Sequence, residues 1–344
     1  MKHCNISIFV THVGCPHLCA FCNQRTITGS SDIPHAEDVK RICSQALEQL
    51  NEASDSEIAF FGGSFTAVPR DYMLELLEAA NSFVGSGMFK GIRISTRPDY
   101  IDAEVLEILK RYNVTSIELG AQSLCDEVLE ANERGHSAQD VAYASDLIKN
   151  YGFELGLQMM VGLYKSSPER ELETMEKMIS LKPKTVRIYP VVVLEGTKLA
   201  ELYRKGEYRL MPFDSVIDLC AKMVIRFKNA DIDVIKLGLH SSELVEKNIV
   251  AGYYHPALSE IVYSRIFLDC ISEYAVSNGT DKLDIAVNRR DVSIVTGQKK
   301  SNILALAQRG IKCEITQDDS LDRSKIRING EIIDVFKITG DPGL

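Results

Sequence analysis

Gly14-Cys15-Pro16-His17-Leu18-Cys19-Ala20-Phe21-Cys22-Asn23-Gln24 follows directly on a strand-like run, Ile6 to Thr11, and its spacing sets the reading of the chain. Three thiols spaced C-x3-C-x2-C on one short loop can converge on three corners of a cubane iron-sulfur cluster. A tetrahedral zinc site or a fully ligated cluster needs a fourth protein ligand. No fourth cysteine lies nearby in the sequence. A cluster on Cys15, Cys19 and Cys22 would leave one iron open to a chelating molecule. A zinc loop and three unligated buried thiols are the alternatives the spacing leaves.

Outward from this loop, short β-rich runs alternate with longer helical patterns, the arrangement of parallel strands joined by crossover helices. The strands read as Ile6 to Thr11, Ile58 to Phe61, Gly91 to Thr96, Ser116 to Gly120, Glu154 to Met160 and Val186 to Val193. Amphipathic segments lie between them: Ala36 to Leu50, Asp71 to Val84, Ala103 to Tyr112, Ala138 to Tyr151 and Pro168 to Leu181, with Pro69 and Pro168 placed to open helices. The expected fold is α/β, a partial parallel (βα)6 TIM-like barrel with a small C-terminal α/β appendage. The expected divisions are a barrel over 1–240, a helical extension closing it over 241–281 and the small unit over 282–344. Leu237-Gly238-Leu239-His240 ends a seventh strand-like run.

In a parallel barrel the functional groups sit where strands end and loops begin. The second strand ends in Phe61-Gly62-Gly63-Ser64-Phe65-Thr66, whose paired glycines allow a ligand to approach the backbone. The third ends in Ser95-Thr96-Arg97-Pro98-Asp99, where Arg97 either forks onto a carboxylate or pairs with Asp99. In the fourth, Glu118 and Gln122 share one face at period two, and a glutamate in so apolar a run needs a partner.

The run C-x3-C-x-aromatic-C after a first strand resembles the signature of the radical S-adenosylmethionine (SAM) enzymes. The resemblance implies a 4Fe-4S cluster on Cys15, Cys19 and Cys22 whose open iron takes the amino and carboxylate groups of SAM. It implies reductive cleavage of SAM to methionine and a 5′-deoxyadenosyl radical that abstracts hydrogen from a substrate. By the same resemblance Gly62, Gly63 and Ser64 hold the methionine amino group, with Thr66 a weaker candidate. Phe21 packs on the adenine, and Met159, Met160 and Gly162 lie on the adenine side. Arg97, Glu118 and Gln122 are further cofactor-side candidates, and Arg187 and Tyr189 are pocket residues without an assigned role.

Gly-Gly-Ser-Phe-Thr-Ala-Val-Pro, Ser-Thr-Arg-Pro-Asp-Tyr, Glu-Leu-Gly-Ala-Gln-Ser, Arg134-Gly135-His136, Gln158-Met159-Met160-Val161-Gly162-Leu163, Ile188-Tyr189-Pro190, Glu195-Gly196-Thr197 and Gly206-Glu207-Tyr208 occur in order. Together they are similar to the radical SAM half of the Elongator catalytic subunit family, from about Phe9 to Tyr208. That family modifies the wobble uridine of transfer RNA, so the resemblance implies tRNA as a partner. A reductase or a flavodoxin- or ferredoxin-type protein is the expected electron donor. The residues after Tyr208 are too few for that family's acetyltransferase-type domain, and its basic N-terminal arm is lacking. The expectation therefore concerns the radical SAM half alone. The alternatives are a radical SAM enzyme acting on a small molecule or a protein side chain, and a non-catalytic cluster- and SAM-binding subunit.

At 344 residues, 45% hydrophobic and 25% charged, the composition is that of an ordinary folded protein, and its net charge of -9 argues against a uniformly basic nucleic-acid binder. No apolar run is long enough to span a bilayer and no leader pattern opens the chain, so a cytoplasmic location is expected. Cys4, Cys43, Cys125, Cys220, Cys270 and Cys313 are scattered without metal-like spacing and read as buried small hydrophobes. Near the C-terminus, Leu283 to Val287 and Val292 to Val295 read as strands and Gly297 to Gln308 as a helix. Ile326 to Ile338 reads as a hairpin about Asn329-Gly330. Arg289, Arg290, Lys299 and Lys300 form a basic corner where RNA would be sought. The two lysines are expected in a helix's first turn, against its dipole. Tyr253 and His255, after Gly252, either stack on a nucleobase or line the pocket, or only brace the barrel's open side.

Overall fold

The computed structural model describes residues 5–10, 15, 18–23, 26, 33–50, 55–240 and 242–337; Cys4, Thr11, Gly14, Pro16, His17, Gln24 and Ile338 lie outside these. The chain divides into two compact units, one of Met1–Leu210 with Ile232–Tyr254 and one of Met211–Asp231 with His255–Leu344. The division differs from the sequence boundaries at 240 and 281. Helix Phe213–Asn229 packs on helix Leu258–Ser277 and so goes with the C-terminal residues.

The first unit is built on β1 (Asn5–Val10), β2 (Glu57–Gly62), β3 (Gly91–Thr96), β4 (Val114–Gln122), β5 (Glu154–Val161), β6 (Thr185–Pro190) and β8 (Asp233–Leu237). They form one sheet in the order β1-β2-β3-β4-β5-β6-β8, parallel throughout. The seventh strand-like run is thus a full member of the sheet. Phe9, near the end of one edge strand, stacks on His240, just beyond the other, with ring centroids 6.2 Å apart. The sheet therefore curls until its edges approach, as a partial barrel must.

The helices start where their side chains cap them. Asp102 accepts from the Val105 N–H at 2.8 Å, Ser137 and Asp140 make a reciprocal box, and Pro168 takes the first turn after the Ser167 cap. Strand alternation then sorts the side chains. Ile58, Phe60, Ile92, Ile94, Ile117, Leu119, Leu157, Met159, Val186 and Ile188 are fully buried on the helix-covered face. The intervening residues face into the curl.

One difference from the sequence reading lies after β6. The strand stops at Pro190, and Val192–Leu194 becomes a separate strand, β7, pairing antiparallel with β9 (Ile249–Gly252). Proline offers no N–H to the ladder, and the chain changes partner there. No helix of the described residues is long and apolar enough to cross a membrane.

The second unit contains helices Phe213–Asn229 and Leu258–Ser277 and a four-stranded sheet in the order β11 (Lys312–Gln317), β10 (Lys282–Val287), β12 (Lys325–Ile328), β13 (Glu331–Asp334). The hairpin is as read: Asn329 and Gly330 both take positive φ, 49° and 90°, in a two-residue loop between β12 and β13. Val292 to Val295, read as a strand, lies in a short helix, Val292–Thr296, packed on helix Leu258–Ser277, so tertiary packing overrides the β-branched preference. Lys299 and Lys300 are not in a helical first turn. Both adopt left-handed backbone, φ 52° and 64°, and the helix begins at Ser301. The parallel strand β11 has no counterpart among the sequence-predicted elements.

Candidate functional site

A cavity of about 390 Å³ opens on the inner face of the first unit. Its walls come from β1 (Ser7, Phe9), the cysteine loop (Phe21, Cys22), β2 and its end (Phe61, Gly62, Gly63), Ser95, Gln122, Gln158 with Met160, Arg187 with Tyr189, and Lys236 with His240. Eight of the sequence candidates, Phe21, Cys22, Gly62, Gly63, Gln122, Met160, Arg187 and Tyr189, thus meet at one cavity.

Behind Gln158 and Arg187 of the wall lies a floor of buried charges, of which Glu57, Arg93 and Glu118 do not themselves line the cavity. Glu118, 1% exposed, accepts from Arg93 Nη1 at 3.2 Å, Arg187 Nη2 at 2.9 Å and Gln158 Nε2 at 3.0 Å. Arg93 in turn donates through Nε to Glu57 at 2.8 Å, and Glu57 also accepts from Thr115 and Ser116 at 2.6 and 2.9 Å. Carboxylates and guanidiniums alternate, so each buried charge has its opposite beside it. Burial opposes the charge on Arg187, but Glu118 and Tyr189 outweigh it and its pKa rises. The guanidinium also lies 4.7 Å from the Phe61 ring centroid. Gly156, level with Glu118 in the next strand, leaves room for this side chain, since a Cβ there would meet Glu118 Cγ at 2.8 Å.

The other candidates do not line the cavity. Arg97, 3% exposed, forks onto Asp99 with two bonds of 2.9 Å and caps the Arg134 carbonyl at 2.5 Å. The local pairing occupies its donors. Ser64 Oγ accepts from the Arg97 N–H at 3.1 Å, and Thr66 is bonded to Thr96 and the Tyr100 carbonyl. Met159 faces the helices, because adjacent strand residues point to opposite faces. Gln122 reaches the cavity through a bulge in β4, with φ of 65°, and not by simple alternation with Glu118. Gly162 (φ 85°) is gripped from three sides: its N–H donates to Glu171, its carbonyl accepts from Tyr208, and a Cβ would lie 2.8 Å from the Tyr253 ring. Tyr253 is 3% exposed and braces this turn.

The cysteine loop is pinned at Ala20, whose N–H donates to the Asn132 carbonyl at 3.0 Å and whose carbonyl accepts from Leu199 N–H at 2.7 Å. Cys19 is buried, Cys22 half-buried and Cys15 exposed. Burial and the neighbouring Cys19 and Cys15 thiols push Cys22 up to about 12, with Arg134 pulling the other way. Among the described residues no three His, Cys, Asp or Glu side chains converge as a ready-made metal site. Yet the three thiols on one loop are close enough to perturb one another, the donor set a three-cornered cluster asks for. Gln122 Oε1, buried without a hydrogen-bond partner among the described residues, and the Gly62 turn at φ 106° offer polar and backbone groups to a second ligand in the same cavity.

Family models match the chain twice: the Radical SAM superfamily over residues 9–178 and the Radical SAM C-terminal domain over 183–267. The chain belongs to the radical SAM superfamily. It is 28% identical over 201 residues to Elongator complex protein 3 of Saccharomyces cerevisiae, covering 52% of this chain and 36% of that protein. It is 32% identical over 222 residues to an uncharacterised protein of Methanocaldococcus jannaschii, covering 60% and 67%. To the tRNA uridine(34) acetyltransferase of the same archaeon it is 28% identical over 207 residues, covering 54% and 38%. The chain thus spans well under half of the Elongator and acetyltransferase relatives. Among solved structures, Methanocaldococcus infernus Elp3 with an N-terminal deletion superposes with a TM-score of 0.59 at 22% identity, over 80% of this chain and 63% of that one, a likeness of fold.

Two features of this radical SAM chain escape sequence reasoning. Arg134 Nη1 donates to Cys19 Sγ at 3.0 Å, its Nη2 donates to the Gly120 carbonyl at 2.5 Å, and its guanidinium lies 6.0 Å from the Phe21 ring centroid. The motif Arg134-Gly135-His136 was visible, but its contact with a cysteine 115 residues away was not. Arg93 carries no motif of its own, lying between Ile92 and Ile94, yet strand alternation alone turns it inward beside Glu118.

Proposed function

We propose that this radical SAM enzyme binds a 4Fe-4S cluster through Cys15, Cys19 and Cys22 and cleaves SAM reductively in the adjoining cavity, for the modification of RNA. The observation that carries the reading is that Cys22 and Phe21 of the three-thiol loop line the same cavity as the Gly62-Gly63 turn and Gln122. The chemistry such a cluster and SAM supply together is one-electron cleavage to methionine and a 5′-deoxyadenosyl radical. The chain's own contribution is placement. Gly62 and Gly63 present backbone groups, and the unpartnered Gln122 Oε1 accepts a hydrogen bond from the ligand. Phe21 and Met160 supply apolar surface, and the paired charges of the floor keep those walls in position. Arg134 holds Cys19 in its orientation through the 3.0 Å contact.

The direction toward tRNA is supported by relatives whose names assign them to Elongator and to tRNA uridine(34) acetylation. The electron donor would be a reductase or a flavodoxin- or ferredoxin-type protein. The test is anaerobic: reconstitute with iron and sulfide, add SAM and dithionite, and assay 5′-deoxyadenosine beside Cys19→Ala. Product that is lost in the variant supports the reading, and turnover that rises with bulk tRNA supports its RNA arm. Absence of product from fully loaded protein overturns it.

A further inference from the structure

The cations at the cavity differ in their partners. Arg93 is paired with Glu57, Glu118 and, at 4.0 Å, Glu154, and Arg187 is paired with Glu118, whereas Lys236 is in no ion pair among the described residues. Lys236 stands level with Arg187 on the neighbouring strand, and both side chains line the cavity. No hydrogen bond or ion pair holds Lys236 among the described residues, and no Asp or Glu lines the cavity wall. Such a wall is unexpected in a chain of net charge -9, where carboxylates outnumber cations. Two adjacent cations in a partly enclosed space repel, and burial together with Arg187 lowers the Lys236 pKa. Beyond them His240 faces the same space, stacked on Phe9, and Tyr189 stands beside Arg187.

We infer that Lys236, with Arg187 beside it, is a subsite for an anionic group, a carboxylate or phosphate, carried by the second molecule that shares the cavity with SAM. This rests on the reading of the cavity proposed above. The side chains offered to SAM come from the cysteine loop, β2, β4 and β5, whereas Lys236 and Arg187 come from β8 and β6. SAM carries a net positive charge, which this wall repels, and its one anionic group, the carboxylate, is assigned to the cluster's open iron in the reading above. Tyr189 and His240 add hydrogen-bonding groups at the same end, which suits an oxyanion with several acceptor atoms.

The test uses full-length, cluster-reconstituted protein titrated with inorganic phosphate and with malonate against chloride at matched ionic strength, read by melting temperature. SAM affinity is measured separately by equilibrium dialysis, and iron content and circular dichroism check loading and fold. In wild type, phosphate or malonate is expected to bind saturably. Lys236→Met should weaken it by about tenfold or more, the size of one charge-assisted hydrogen bond, while Lys236→Arg retains it. SAM affinity should be alike in all three proteins. No saturable anion effect in wild type, or an undiminished one in Lys236→Met, overturns the inference. A loss of SAM affinity in Lys236→Met matching the loss of anion binding also overturns it, by giving the subsite to the SAM carboxylate. Anion binding that persists in a protein unable to hold iron or SAM would leave the subsite standing and remove the cofactor reading.

Discussion

Replacing Glu118 by Gln removes the one carboxylate that two buried guanidiniums share. In wild type it takes bonds of 3.2 and 2.9 Å from Arg93 and Arg187, and a third of 3.0 Å from Gln158. Arg93 keeps Glu57, but Arg187 loses its only carboxylate among the described ion pairs and is left beside Lys236. Breaking a buried pair from one side costs about 3–5 kcal/mol, because the stranded charge is not rehydrated. For a unit of this size that corresponds to a fall of about 6–20 °C in melting temperature. Removing both charges together is often close to neutral, so Glu118→Gln with Arg187→Met should recover most of the loss. The assay is thermal and denaturant unfolding of the two single variants and the double, closed as a double-mutant cycle. If Glu118→Gln melts within about 2 °C of wild type, or the double variant loses the sum of the singles, the floor is not a coupled charge network.

Glu171 is 3% exposed and pushed up to about 7, first by burial, while the Gly162 N–H opposes. Its native state holds a proton that the unfolded chain releases near the ordinary carboxylate pKa, so its contribution to stability is largest at low pH and falls as pH rises through 7. Glu171→Gln should stabilise the protein at pH 8 by up to about 3 kcal/mol and by nothing at pH 4, checked by urea unfolding at both. His136, pushed down to about 4 by burial and then by Arg134 and Arg97, works in the opposite sense below its ordinary value. The wild-type-minus-variant difference isolates Glu171. Gly162→Ala, at φ 85° and 2.8 Å from the Tyr253 ring, should cost about 1–3 kcal/mol in the same assay. Arg134→Gln removes a charged donor from Cys19 and should make the reduction potential of the reconstituted cluster more negative by roughly tens of millivolts in an anaerobic redox titration followed by electron paramagnetic resonance. Arg134→Lys should restore part of the shift, and an unchanged potential at full iron content would show that the contact is only structural.

Much of the architecture was legible because each strand carries its own period. Alternation of Ile92, Arg93, Ile94 and Ser95 gives both the strand and its faces, and Asn329-Gly330 gives the hairpin because both positions require positive φ. Local propensity failed where neighbours decide. Val292–Thr296 is rich in β-branched residues but is a helix packed on helix Leu258–Ser277. The edge strand β11 is half-exposed and offers little hydrophobic signal. Of the candidate site, the residues whose exposure follows from a strand end, Gly62, Gly63 and Met160, reach the cavity. Arg97 pairs with Asp99, the plainer of the two readings its sequence allows. Glu118 was recognised as needing a partner, but partners 25 and 69 residues away are fixed by register between strands, which one strand's sequence does not carry.

The polar floor also explains why there is a cavity at all. Closed parallel barrels usually fill their interior with layers of branched apolar side chains. Here the inward positions of the central strands include Arg93, Ser95, Glu118, Gln158 and Arg187, with Gly120 and Gly156 between them. Side chains tied to one another by directional bonds stay flat against the sheet and cannot collapse into the space above, as leucines would. The same bonds tie up most of the floor's charge, and Gln122 Oε1 and the Lys236 ammonium, which line the cavity with no partner among the described residues, are available to a ligand. Specificity in this site is thus expected to follow from what the floor does not neutralise, and substitutions that alter its balance, Glu118→Gln among them, should change anion affinity at Lys236 without touching that residue.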